Sequence, residues 1–194
     1  MNFLAHIYLS GEDEGITLGN FIADGIKGKS YLKYPEQIQK GILLHRGIDS
    51  YTDSHPIVKQ STKRLHKNYG HYSGVIVDIL YDHFLAKNWK QYHSIPLDTY
   101  VENFYELLRN SYEILPMRIR RMMPYMISDN WLLSYATIPG ISKILDQMNM
   151  RTKGRSRMNF AVMELETFYS EFEEEFTSFF AELILFSKNK LSEL

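Results

Sequence analysis

The sequence predicts an all-α, single-domain helical bundle over residues 1–194. Three observations predict it. Apolar residues recur at three- and four-residue spacing along most of the chain, the period of an amphipathic helix. Strictly alternating apolar and polar runs, the mark of half-buried strands, are nearly absent. No internal repeat and no low-complexity linker divides the chain.

The elements follow in order. Phe3, Leu4, Ile7 and Tyr8 share one face of a short first helix. Ile16, Leu18, Phe21 and Ile22 mark a second, with Gly25 and Gly28 near its end. Pro35–Glu36 opens a third, carried by Ile38, Ile42, Leu43 and Ile48 to about Tyr51. Asp53 or Ser54 is expected to cap the fourth, with Pro56 in its first turn and Val58, Leu65 and Tyr69 buried. Residues 73–92 form the strongest apolar helix. Pro96 or Asp98 opens another to Leu115, shorter helices follow near 118–127, 129–135 and 139–149, and 151–157 reads as a loop. One long amphipathic helix spans about 160–190, with Phe168, Phe172, Phe176, Phe179 and Phe180 inside and Glu171, Glu173, Glu174 and Glu175 outside.

Composition narrows the function classes. Hydrophobic residues make up 44% of the chain, enough for a sizeable core. Net charge is −1, from 22 basic and 23 acidic residues, so no global field recruits nucleic acid or a membrane surface. With no cysteine, disulfides, thiolate chemistry and sulfur-held zinc are excluded. The opening MNFLAHIYLSGEDEG resembles neither a signal peptide nor a membrane span, and a cytoplasmic location is expected. No P-loop and no G-x-S-x-G motif is present.

The informative residues are polar groups inside apolar helices. His45 and Asp49 are four apart and share a helical face, and Asp78 and Asp82 repeat that spacing. In VDILYDHFL the carboxylates are costly to bury uncompensated, and a divalent cation is one compensation. His6 lies in the first apolar stretch, and Asp24 ends LGNFIAD. His6, Asp24, His45, Asp49, Asp82 and His83 therefore form an expected inward-facing set. Mixed imidazole and carboxylate donors suit Mn²⁺, Fe²⁺ or Zn²⁺, and with more oxygen Mg²⁺. The bland readings are a hydrogen-bonded core histidine at His6, a helix cap at Asp53, and a pairing of Asp78 with Arg46 or a lysine. His66, His71 and His93 sit in polar surroundings and need no chemistry.

The segments MNFLAH, GNFIAD, GILLHRGIDSYTD and LYDHFLAKNW, in that order within the first ninety residues, resemble the acyl carrier protein phosphodiesterases. WLLSY at 131–135 extends the resemblance, and the last third matches in helical character. The resemblance implies hydrolysis of the phosphodiester joining 4′-phosphopantetheine to a serine of holo-acyl carrier protein, with a divalent metal, typically Mn²⁺. It also implies a divergent HD phosphohydrolase fold, although the adjacent pair Asp82–His83 reverses the usual His-then-Asp order.

On that footing His6, Asp24, His45, Asp49 and Asp82 are the expected metal ligands, with His83 completing the shell or acting as a proton donor. Arg46 is an expected phosphate clamp, and His55 a second candidate proton donor. Asp82, His83 and His45 are expected to share one cavity. Two basic clusters are candidate docking surfaces for the acidic carrier protein: Arg118, Arg120 and Arg121, and the stretch Arg151, Lys153, Arg155 and Arg157. The rival readings are an HD-like nucleotide or cyclic-nucleotide phosphohydrolase, and a non-catalytic helical module holding an acidic partner.

Overall fold

Side-chain caps at Asn2, Asp13, His55 and Thr137 open four of the helices. The computed structural model describes residues 1–194 and contains eleven α-helices joined by short 3₁₀ turns, with no strand. They are α1 (Phe3–Tyr8), α2 (Glu14–Ile22), α3 (Glu36–Ser54), α4 (Pro56–Tyr69), α5 (Ser73–Lys87), α6 (Leu97–Asn110), α7 (Met117–Ser128), α8 (Trp131–Ser134), α9 (Ile138–Arg151), α10 (Ala161–Thr167) and α11 (Tyr169–Glu193).

Several boundaries correct the sequence reading. α3 runs one turn further than Tyr51. His55, rather than Asp53 or Ser54, caps α4: its side chain accepts from the Ile57 N–H at 3.3 Å, with Pro56 at the first helical position. The apolar helix stops at Lys87, and residues 89–91 continue as a 3₁₀ turn. The expected single helix over 160–190 is two, separated at Phe168, whose backbone leaves the helical region.

α3, α4, α5 and α11 pack around one continuous apolar core, and α1 and α2 close one end of it. α6 to α10 lie alongside, with α9 against α5 and α8 against α6 and α7. The phenylalanines of α11 supply much of the core, in stacked and edge-to-face contacts with Tyr81 and Phe84 of α5. Glu175 departs from the expected wet face. It is buried and receives Arg64 through two 2.8 Å bonds, together with Ser61 and Gln60.

Two glycines set the distance that matters most for the site. A Cβ on Gly19 would collide with the Ile38 carbonyl, and one on Gly41 with the Ile16 carbonyl. Without side chains at these points α2 and α3 approach backbone to backbone. That contact carries Asn20 of α2 up to His45 of α3.

Candidate metal centre

Three elements deliver the polar floor of a deep cavity of about 370 Å³. α1 brings His6, the end of α2 and its following turn bring Asn20 and Asp24, and α3 brings His45 and Asp49. His45 Nε2 lies 3.0 Å from Asp49 Oδ2 and 3.4 Å from Asp24 Oδ1, and His6 Nε2 lies 3.2 Å from Asp49 Oδ1. Both histidines are buried, Asp49 is half-buried, and Asp24 is exposed at the rim. One donor atom each from His6, His45 and Asp49 falls within 4.8 Å of the others.

Asn20 sets the orientation of both rings. Its side-chain Nδ2 donates to the His6 carbonyl and to Ser10 Oγ, each at 2.9 Å, which identifies the other amide atom as the oxygen. That oxygen, Oδ1, lies 2.8 Å from His6 Nδ1 and 3.2 Å from His45 Nδ1. Both Nδ1 atoms therefore donate, and both Nε2 atoms face the carboxylates. The sequence reading missed Asn20. Its signal was an amide between Gly19 and Phe21 in the apolar stretch that ends the helix.

Electrostatics follow from this geometry. Burial alone would depress the His45 imidazole, but hydrogen bonds to Asp24 and Asp49 push it up to about 9. Burial of Asp49 works against its charge, and the two histidines overcome that and hold its carboxyl well below the usual range. Asp24 is held down chiefly by His45. His6 moves the other way, because burial and the neighbouring His45 charge outweigh its own bond to Asp49. The two carboxylates thus favour a positive charge on His45. That is a spot built for positive charge.

Of the residues expected at the site, His6, Asp24, His45 and Asp49 converge, and four others do not. Asp82 is fully buried, but its Oδ1 accepts from the Asn2 N–H at 3.2 Å and its Oδ2 from the Leu4 N–H at 2.7 Å. It ties the start of α1, and so His6, to α5. Burial pushes its carboxyl up to about 7, against the nearby N-terminal ammonium and the two backbone bonds. His83 has both ring nitrogens engaged, Nδ1 donating to the Tyr135 carbonyl at 2.7 Å and Nε2 accepting from the Tyr169 hydroxyl at 2.8 Å. Asp82 and His83 therefore do not share the cavity with His45 as expected. His55 pairs with Glu182 at 3.3 Å, away from the cavity. Arg46 donates to the carbonyls of Ile26 and Gly28 and lies over Tyr31, latching the turn that follows α2. Asp78 pairs with the Met1 ammonium at 2.8 Å rather than with Arg46 or a lysine.

The basic clusters also divide. Arg118 lines the cavity, with its Nη1 3.5 Å from the Asp24 carbonyl. Arg121 faces an outer groove on α7 beside Met117, Met122 and Tyr125. Arg120 points elsewhere, donating to the carbonyls of Glu113 and Leu115 under the Tyr112 ring. Arg151 lies over Trp131, and Arg118, Trp131 and Arg151 line both the cavity and the groove. Lys153, Arg155 and Arg157 are exposed in the turn after α9.

The fold and site define an all-helical protein with imidazole and carboxylate donors converging at a candidate divalent-metal centre. The chain belongs to the acyl carrier protein phosphodiesterase family, whose sequence model matches residues 1–183. It is 31% identical to the acyl carrier protein phosphodiesterase of Pectobacterium atrosepticum and 30% identical to that of Yersinia pestis, each over 98% of this chain and 99% of the relative. No solved structure matches the chain. No helix is long and apolar enough to cross a membrane.

Proposed function

We propose that this protein hydrolyses the phosphodiester between 4′-phosphopantetheine and a serine of acyl carrier protein, releasing the apo-protein, at a divalent cation held by His6, His45 and Asp49 with Asp24 at the rim. The observation that carries this reading is the convergence of two imidazole Nε2 atoms and the Asp49 carboxylate at one cavity floor, in a chain of this family.

The donor set fits such a cation. Asn20 engages both Nδ1 atoms and leaves both Nε2 atoms facing the carboxylates, where a cation would take the place of the positive charge favoured on His45. Two nitrogens with carboxylate oxygen suit Mn²⁺, Fe²⁺ or Zn²⁺ better than an ion preferring oxygen alone, and Mn²⁺ is our choice. When bound there, a divalent cation supplies charge neutralisation toward the anionic diester and makes water acidic enough to attack near neutral pH.

The chain's own residues hold and shield the substrate. Arg118 takes over the clamp role that Arg46 cannot fill, because its guanidinium sits beside the cluster and can pair with non-bridging phosphate oxygens. Phe3, Phe21 and Trp131 line the cavity and keep bulk water from the reacting group. An acidic, helical carrier protein would meet Arg121 and Arg151 on the outer groove, next to the residues that also line the cavity mouth. A cytoplasmic location accords with such a partner.

The experiment is incubation with holo-acyl carrier protein and Mn²⁺, followed by intact-protein mass measurement. Loss of the phosphopantetheinyl mass is expected. An unchanged mass with metal-loaded protein would refute the reading.

A further inference from the structure

The cavity has a second wall with a chemistry of its own. It is contributed by α8, α9 and the residue just beyond α8, through Trp131, Tyr135, Ile144 and Met148. Two side chains on that wall carry hydrogen-bond donors, an indole N–H and a phenol O–H. Trp131 Nε1–H is buried and has no partner. Tyr135 is 2% exposed as a residue and lines the same cavity. Its backbone is pinned, since the Tyr135 carbonyl receives His83 Nδ1 and His83 Nε2 receives the Tyr169 hydroxyl. Buried donors are almost always paired. The unpaired indole N–H of Trp131 and the phenol of Tyr135, beside apolar Ile144 and Met148, form a surface for a ligand that is part acceptor and part hydrocarbon.

The cluster at the floor fits the phosphate end of the substrate. The rest of the prosthetic group is a linear chain with a gem-dimethyl carbon, a hydroxyl and two amide carbonyls. Those features match the wall: oxygen acceptors for the indole and phenol donors, branched hydrocarbon for Ile144 and Met148. We propose that the α8–α9 wall is the subsite for the pantetheine arm, with Trp131 and Tyr135 donating to its oxygens. The inference deepens the functional reading above and rests on it. Trp131 and Tyr135 act here as specificity residues, holding the part of the substrate that does not react.

The test is calorimetric titration of pantetheine, 4′-phosphopantetheine and inorganic phosphate into the Mn²⁺-loaded wild type, Trp131→Phe, Tyr135→Phe and the double variant, with thermal melts of each. Pantetheine, which lacks the phosphate, is expected to bind the wild type. Each phenylalanine should weaken both pantetheine ligands about fivefold to tenfold, as expected for one lost hydrogen bond, and leave inorganic phosphate unchanged. Failure of pantetheine to bind the wild type would overturn the proposal, as would unchanged affinity in a folded double variant. A parallel loss of phosphate affinity would also overturn it, by moving the donors to the reacting end. If Tyr135→Phe does not fold, Trp131→Phe decides, because Trp131 is only half-buried and phenylalanine keeps much of its packing. The titrations can fail while holo-carrier protein is still cleaved, so the two readings fall separately.

Discussion

The imidazole rings of His6 and His45 lie stacked, with centroids 4.1 Å apart and planes 24° from parallel. Two rings so close cannot both carry charge cheaply, and the proton settles on His45 because two carboxylates face it. The pair stays in register because one amide oxygen, that of Asn20, receives both Nδ1–H groups. Removing it should free both tautomers. Asn20→Ala is expected to weaken Mn²⁺ binding by about 10–100-fold, the usual cost of losing an outer partner of a metal ligand. Titration of the metal followed by calorimetry measures it, and far-ultraviolet circular dichroism checks the fold.

The acidic residues should separate into two behaviours. Asp49→Ala and His45→Ala remove groups of the cluster and should eliminate turnover while the helices persist. Asp82→Ala instead strands the buried Leu4 N–H and the half-buried Asn2 N–H at the start of α1. A stability loss of roughly 2–4 kcal/mol is expected, lowering the melting temperature by about 5–15 °C for a chain of this size. Melting curves of the three variants distinguish the roles.

The metal-free protein should become less stable as pH rises through the alkaline range. The folded value for His45, about 9, lies above its ordinary 6.5. Its favourable contribution is complete below pH 6.5 and is lost as pH climbs through 9. Asp24 and Asp49, held low, show the same interaction from its acidic side, so it is counted once. The N-terminal ammonium is also raised, by Asp78 against the opposing effect of burial, and adds to the trend. In a chelator, the melting temperature should fall between pH 6.5 and 9.5, and fall less in His45→Asn. With Mn²⁺ present, binding must displace the proton favoured on His45, so apparent affinity should rise with pH over the same range.

Charge reversal should map the carrier-protein face. Arg121→Glu and Arg151→Glu are expected to raise KM for holo-acyl carrier protein several-fold with little change in kcat, because both flank the outer groove. Arg120→Glu should leave KM unchanged and reduce stability, since its guanidinium holds the carbonyls of residues 113 and 115. Steady-state kinetics at two salt concentrations separate screened docking charges from structural ones.

Much of this was legible in the sequence. The helices announced themselves by period, and α3 to α5 formed where apolar spacing put them, although the ends of α3 and α5 and the cap of α4 differed. The breaks at residues 88 and 168 were not visible, because both lie within runs whose apolar spacing carries on across them. At the site, His45 and Asp49 could be read from their four-residue spacing, and His6 and Asp24 from their place in apolar segments. Asp82 and His83 looked equally costly to bury. A carboxylate can be compensated by a cation or by backbone N–H groups, and composition does not tell these apart. Asn20, Tyr135 and Trp131 lie in segments that carry the family resemblance, but no role could be read for them, because uncharged side chains inside apolar runs raise no alarm. Their importance lies in which partners they have or lack in three dimensions.

The most direct measurement is anomalous diffraction from crystals grown with Mn²⁺ and no chelator. One strong peak within bonding distance of His6 Nε2, His45 Nε2 and the Asp49 carboxylate is the expected result. A cluster without a peak, or a peak beside Asp82 and His83 instead, would contradict the assignment of the metal centre.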